Sequence, residues 1–149
     1  TEIYTLSLHD ALPICEEVEA MNEGTEPRNQ GHGRPRDLRE RTLRFARQIV
    51  RLYGSLDRSV LAQTLGRQML RAGTSVGANY RESDEARSKA EFIAKIGDCL
   101  KEADETTYWI ELMAAEGVGD TPALTAAFDE ASQLVAIFTT IRRRAERNP

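Results

Sequence analysis

The chain has 149 residues, of which 40% are hydrophobic, 30% charged and only 6% aromatic. This balance provides enough apolar residues for the core of one domain. It favours helices over a β-sandwich, in which β-branched and aromatic residues would dominate. No apolar run approaches the roughly 18 residues that a membrane helix needs. The two cysteines, Cys15 and Cys99, lie far apart, which argues against a disulfide framework and predicts a reducing, cytoplasmic location.

The formal net charge of −4 conceals a strong segregation of charge along the sequence. Residues 36–81 hold ten arginines against three acids, or +7, whereas residues 82–130 hold four basic residues against thirteen acids, or −9. The pattern of charge therefore bears more on the partners of the protein than its mean does.

The first 35 residues differ from the rest of the chain. Residues 1–14 are similar to the peptide obtained when a sequencing-adapter stretch is translated in frame, and we predict that they are an artefact; a short natural amphipathic arm is the alternative. Met21 is then the expected native start. Residues 22–36 combine glycine, proline and charge without apolar periodicity, which predicts disorder. We therefore expect a disordered or artefactual extension over 1–35 and one folded domain over 36–149.

The first two predicted helices carry arginine as their only cation. Asp37 and Glu40 have capping-box spacing and begin the first helix, which Gly54 ends. Its predicted apolar face comprises Leu38, Thr42, Phe45, Ala46, Ile49 and Tyr53. The second helix begins near Ser59 and runs to about Glu82, with a predicted apolar stripe of Leu61, Leu65, Met69, Ala72 and Val76.

A second stripe on this helix consists of small residues: Ala62, Gly66, Gly73 and Gly77. A glycine within a helix costs about 1 kcal/mol relative to alanine. Three of them predict packing with close approach by another backbone, and a contact surface for a ligand or nucleic acid is the alternative.

The last two predicted helices complete an all-α, antiparallel, up-down-up-down four-helix bundle. Ser88 and Glu91 form a capping box, and the third helix continues to a stop near Gly117. Its apolar positions are Ile96, Cys99, Leu100, Ala103, Thr106, Ile110 and Met113. Thr121 is the predicted N-cap of the fourth helix, with Pro122 at the first helical position. The apolar face then comprises Leu124, Phe128, Ala131, Leu134, Val135, Phe138 and Ile141.

Three linked segments resemble a known family. They are LRAGTSVGANYRE at residues 70–82, RSKAEFI at residues 87–93, and LKEADET at residues 100–106 followed by Tyr108 and Trp109. Together they resemble the four-helix-bundle family that includes the proteins encoded in intervening sequences of bacterial 23S ribosomal RNA genes, over roughly Leu38 to Arg143.

This resemblance implies a bacterial bundle that assembles as a five-fold ring. The family also includes, as a more distant member, the accessory variability protein of diversity-generating retroelements, which binds reverse transcriptase and nucleic acid. Most members of the family have no established activity. The acidic middle of this chain departs from the basic retroelement relatives.

The predicted domain offers few groups for catalysis. Both histidines, His9 and His32, lie in the first 35 residues, so the Glu-x-x-His pairs of a di-iron bundle are absent. Cys99 has no histidine to activate it, and the helical glycines lack the Gly-Lys-Ser/Thr of a phosphate loop. Glu102 and Glu105 share a helix face and are interpreted as a charged stripe. We therefore expect no enzymatic activity, cofactor or metal.

The residues expected to serve assembly lie mainly where the basic second helix faces the acidic third: Arg71, Ser75, Asn79, Arg81, Glu91, Glu102 and Glu105. In a ring, the basic surface of each subunit can contact the acidic surface of its neighbour. Pairing between the two helices of one chain is the alternative. Ser75 and Asn79, one turn apart, are expected to fix helix register or to contact a neighbouring subunit.

Other arginines are candidates for contact with nucleic-acid phosphates: Arg39, Arg47, Arg51, Arg67, Arg142, Arg143 and Arg144. For the last three, a favourable interaction with the dipole of the helix C-terminus is the alternative. The sequence thus predicts a ring-shaped homo-oligomer that acts as a scaffold or adaptor without membrane contact, and the resemblance implies that this ring is a homo-pentamer. An RNA- or DNA-binding accessory protein, or one that binds a nucleic-acid-bound protein, is the alternative.

Overall fold

Four α-helices follow one another in the computed structural model, which describes residues 38–147. They are α1 (Leu38–Gly54), α2 (Val60–Asp84), α3 (Lys89–Ala115) and α4 (Thr121–Arg147), and no strand occurs within these residues. Consecutive helices are joined by short connections and pack against each other, and α1 makes a smaller contact with α4. The predicted all-α four-helix bundle is therefore confirmed. The predicted extension over 1–35 and the capping residue Asp37 lie outside the described residues.

The predicted start of α2 and the predicted cap of α3 are confirmed, and a serine caps each helix. The Ala62 N–H donates to Oγ of Ser59 at 3.1 Å, and the Glu91 N–H donates to Oγ of Ser88 at 3.1 Å. The Glu91 carboxylate in turn accepts from the Arg87 N–H at 2.8 Å, one residue before the cap. These contacts satisfy N–H groups that the first turn of a helix leaves without a partner, so both starts are fixed locally.

The start of α4 corrects the prediction by one residue. Asp120, rather than Thr121, is the N-cap, because its carboxylate accepts from the Ala123 N–H at 3.1 Å and its carbonyl from the Leu124 N–H at 2.9 Å. Thr121 is then the first helical residue and Pro122 the second. A carboxylate is a better cap than a threonine hydroxyl, and proline lacks the N–H that the first turn leaves unpaired.

A glycine turn ends α3 as predicted. Gly117 has φ 66°, and the Val118 N–H donates to the Met113 carbonyl at 2.8 Å. The Gly117 N–H donates to the Ala114 carbonyl at 3.2 Å, which completes a Schellman motif. Val118 is buried beneath this turn and anchors the α3–α4 connection in the core.

The core is formed by the inward stripes of all four helices, with Phe45, Met69, Ile96 and Phe138 among its fully buried side chains. One prediction about α2 is wrong: Leu61 is 48% exposed, whereas Ala62 is fully buried. Residue 62 continues the three- and four-residue spacing of the buried positions, and residue 61 lies about 100° around the helix from it. The core therefore begins with the smaller side chain.

The small-residue stripe of α2 packs against α1, as predicted. A Cβ added to Gly73 would lie 2.8 Å from Cγ1 of Ile49, and one added to Gly66 would lie 2.5 Å from Cδ1 of Leu56, in the turn after α1. At Gly77 the nearest atom is the backbone oxygen of Thr42, at 3.4 Å. Helix packing, rather than a ligand, thus explains these three glycines.

Candidate interaction surfaces

Three of the predicted assembly residues contact one another within one chain. Arg71 on α2 forms an ion pair with Glu105 on α3, and its Nη1 lies 3.5 Å from Oε2 of Glu102. The Trp109 indole N–H donates to Oε1 of Glu105 at 3.1 Å. Oε2 of Glu102 is buried and receives no hydrogen bond from residues 38–147, so its contact with Arg71 is electrostatic. The pairing is intrachain, which is the alternative that the sequence left open.

The protonation states of this cluster follow from its hydrogen bonds. The hydrogen bond to Glu105 raises the pKa of Arg71. Hydrogen bonds from Arg71 and, second, from Trp109 lower the pKa of Glu105. Both groups are therefore charged at neutral pH, and together they tie α2 to α3. Lys95 and Glu82 form a further ion pair between the same two helices.

The other four predicted assembly residues do not join this cluster. The Ser75 hydroxyl donates to the Arg71 carbonyl at 2.7 Å, within its own helix. Asn79 is half-buried and makes no side-chain hydrogen bond to the part of the chain that the structure describes. Arg81 is exposed, and Glu91 completes the cap of α3. Ser75 and Asn79 thus form no polar layer across the described bundle.

The arginines considered for nucleic acid fall into two groups. In the first group, Nη1 of Arg39 lies 3.9 Å from Oδ2 of Asp84, and Nε of Arg142 lies 2.9 Å from Oε1 of Glu146. Arg144 also has an interaction within the chain. Arg47, Arg51, Arg67 and Arg143 are exposed and form no ion pair among residues 38–147. Three of these four arginines lie on α1 and α2, and Arg143 lies on α4.

Two outward stripes leave apolar side chains in solvent. On α1, Leu43 is 46% and Val50 51% exposed, with Arg47 between them. On α3, Tyr108 is 54% exposed between Asp104 and Glu111. Each set recurs at steps of four and three residues, so each lies on one helix face. We call Leu43, Arg47 and Val50 the α1 stripe, and Asp104, Tyr108 and Glu111 the α3 stripe.

An ion pair between α1 and α4 was not predicted from the sequence. Nε of Arg41 lies 2.7 Å from Oε1 of Glu130, and Nη2 donates to Oε2 at 3.2 Å and to Oε1 of Gln133 at 2.7 Å. The Arg41 side chain is 14% exposed. The sequence contained one sign of this pair: Arg41 is three residues after Leu38 and four before Phe45, both of which are buried. A long side chain at that position can extend along the apolar surface towards the next helix.

The described residues contain no group of three or more His, Cys, Asp or Glu side chains that could hold a metal ion. Cys99 is fully buried, and burial raises the pKa of its thiol to about 12. None of the helices between residues 38 and 147 has the length and apolar character needed to cross a membrane.

The fold is a four-helix bundle in which capping side chains and interhelical ion pairs hold the helices together. The family model for the 23S rRNA-intervening sequence protein matches residues 36–140, and the chain belongs to this family. A crystal structure of a protein of unknown function from the S23 ribosomal protein family of Bacteroides thetaiotaomicron is 34% identical. It matches over 71% of this chain and 98% of that chain, with a TM-score of 0.62. The comparison with curated proteins gives no match. The resemblance drawn from residues 70–109 is thus confirmed.

Proposed function

We propose that this protein is a non-enzymatic, cytoplasmic bundle that assembles with copies of itself into a ring and acts as a scaffold or adaptor. The observation that supports this function is the pair of outward stripes on α1 and α3. Single exposed apolar residues are normal on a protein surface. Here Leu43 and Val50 lie two turns apart on one face of α1, and Tyr108 lies on α3, at the diagonally opposite corner of the bundle. A subunit with two neighbours in a ring has two such separate surfaces.

The number of subunits rests on the family resemblance, which implies five. Light scattering behind size exclusion on the full chain tests the assembly directly. We expect a mass near five times the 16.7 kDa of one chain. A single species at the monomer mass over the whole concentration range would contradict the proposed function.

The second candidate function is binding of RNA or DNA by exposed arginines. It is favoured by Arg67 and Arg81 on α2, which form no ion pair among residues 38–147 and are clear of both stripes. Fluorescence anisotropy with labelled single-stranded RNA and duplex DNA tests it. If α2 binds phosphates, replacing both arginines with glutamine weakens binding and lowers its salt dependence by about two charges. Equal binding by the wild type and this variant would argue against the site.

A further inference from the structure

We infer that neighbouring copies join through unlike surfaces: the α1 stripe of one copy docks on the α3 stripe of the next. This inference rests on the proposed self-assembly and names the two surfaces that perform it. The occupant of each stripe is a second copy of the same chain.

The first argument is the exposure of both stripes. Leu43, Val50 and Tyr108 are each about half exposed, although apolar side chains of this size gain free energy when buried. Arg47, Asp104 and Glu111 form no ion pair within residues 38–147. The α1 stripe therefore offers two apolar side chains and one cation, and the α3 stripe offers one aromatic side chain and two carboxylates.

The second argument is charge, which selects between the pairings that two stripes allow. Among the side chains that form no ion pair within residues 38–147, Arg47 lies in the α1 stripe with Arg51 one turn further on, whereas Asp104 and Glu111 lie in the α3 stripe. Contact between two α1 stripes would place Arg47 against Arg47, and contact between two α3 stripes would oppose carboxylates. Only α1 against α3 joins opposite charges. Such a head-to-tail contact repeats from copy to copy until the ring closes.

The third argument is the way in which Tyr108 is held. Its ring contacts the Trp109 ring edge-on, with centroids 5.0 Å apart and planes at 70°. Trp109 donates to Glu105, and Glu105 pairs with Arg71. Rigid aromatic side chains that project from a surface are typical anchors of protein interfaces. The intrachain cluster thus orients the central residue of the α3 stripe.

Two complementary variants of the full chain test the inference. Leu43→Asp removes the α1 stripe and leaves the α3 stripe intact, whereas Tyr108→Arg does the reverse. Each variant alone should be monomeric, because every contact in the ring needs both stripes. An equimolar mixture should form a one-to-one dimer of about twice the 16.7 kDa monomer mass, which cannot grow further. Analytical ultracentrifugation at increasing protein concentration can detect this dimer. High concentrations are needed because a dimer held by one contact lacks the stabilisation that ring closure provides.

Matched controls separate loss of the contact from loss of the fold. Leu61→Asp changes a leucine that lies outside both stripes and is 48% exposed. Ala126→Arg adds the same charge as Tyr108→Arg, but at an exposed position on α4. Both controls should keep the wild-type mass, and circular dichroism should show equal helix content in all four variants. If the wild type assembles while either stripe variant keeps the ring, or while the mixture stays monomeric, the inference fails and the proposed assembly stands. If the wild type is itself monomeric, both the inference and the proposed assembly fail.

Discussion

At the scale of single residues, Glu105 links the two sides of the α2–α3 contact and should make stability depend on pH. Hydrogen bonds from Arg71 and Trp109 lower its pKa in the folded state, relative to the ordinary 4.5. A lowered folded-state pKa contributes stability that is fully present above the ordinary value. That contribution is lost as the pH falls from 4.5 through the folded-state value. Acid should therefore weaken the bundle partly through this group.

The matched variant is Glu105→Gln, which keeps the shape of the side chain but cannot titrate. Urea unfolding at about pH 7 and about pH 3.5 measures the free energy of unfolding of both proteins. We expect the wild type to lose more stability between the two pH values than the variant does. An identical loss in both proteins would remove Glu105 from the account of acid sensitivity.

The same residues show what the sequence could and could not determine about the site. Helical spacing correctly placed Arg71, Glu102 and Glu105 on charged faces of facing helices. It did not determine whether their partners lay in the same chain, because that depends on how far each helix is rotated in the bundle. Reversal at Arg71 should therefore disturb the α2–α3 contact first. Reversal at Arg81, which forms no ion pair among residues 38–147, leaves the described contacts intact.

At the scale of helices, the glycines of α2 define how closely α1 can approach. A methyl group at residue 73 would meet Ile49 at 2.8 Å, whereas at residue 77 the nearest atom would be 3.4 Å away, an ordinary contact. Gly77→Ala should thus be neutral or stabilise by up to about 1 kcal/mol, through helix propensity. Gly73→Ala gains the same propensity but overpacks a fully buried isoleucine, at a cost of about 1–3 kcal/mol. The urea midpoint of Gly77→Ala should therefore be higher than that of Gly73→Ala. Equal midpoints would show that α1 and α2 can move apart to accept the added methyl group.

Helix α1 makes its smaller contact with α4, where Arg41 and Glu130 supply a bidentate ion pair. Both side chains are largely buried, so removing one partner leaves the other charge poorly solvated. We expect Arg41→Met or Glu130→Gln to cost about 1–3 kcal/mol of unfolding free energy. The double variant should cost less than the sum by at least about 0.5 kcal/mol, as residues in direct contact do. Additive costs in this double-mutant cycle would mean that the pair does not hold α1 in place.

Helix boundaries were predicted well because capping is local chemistry. The caps at Ser59 and Ser88 and the glycine turn at Gly117 depend only on residues within one turn of the chain. The two errors, at Asp120 and at Leu61, arose where adjacent residues of similar type compete for one position. At residue 120 the better local cap decides, since a carboxylate caps better than a threonine hydroxyl. At residue 61 the rotation of α2 against the neighbouring helices decides, and a single sequence does not contain that geometry.

At the scale of the whole molecule, charge is separated between α1 and α3. If copies assemble as proposed, the acidic surface of one copy should attract the basic surface of the next, and salt should screen this attraction. The Debye length falls from about 10 Å at 0.1 M salt to about 3 Å at 1 M. If charge selects the pairing, raising salt over this range should weaken assembly of the wild type, measured as weight-average mass by light scattering.

The variant Arg47→Gln should assemble more weakly at low salt and respond less to added salt, because one of the screened charges is gone. Its matched control is Arg143→Gln, which removes another exposed arginine, on α4 and outside both stripes. Apolar burial predicts the opposite trend, since it does not depend on screening and is strengthened by strongly hydrated salts. A wild-type ring whose mass rises with salt would therefore mean that Leu43, Val50 and Tyr108 dominate the contact and that charge does not select its direction.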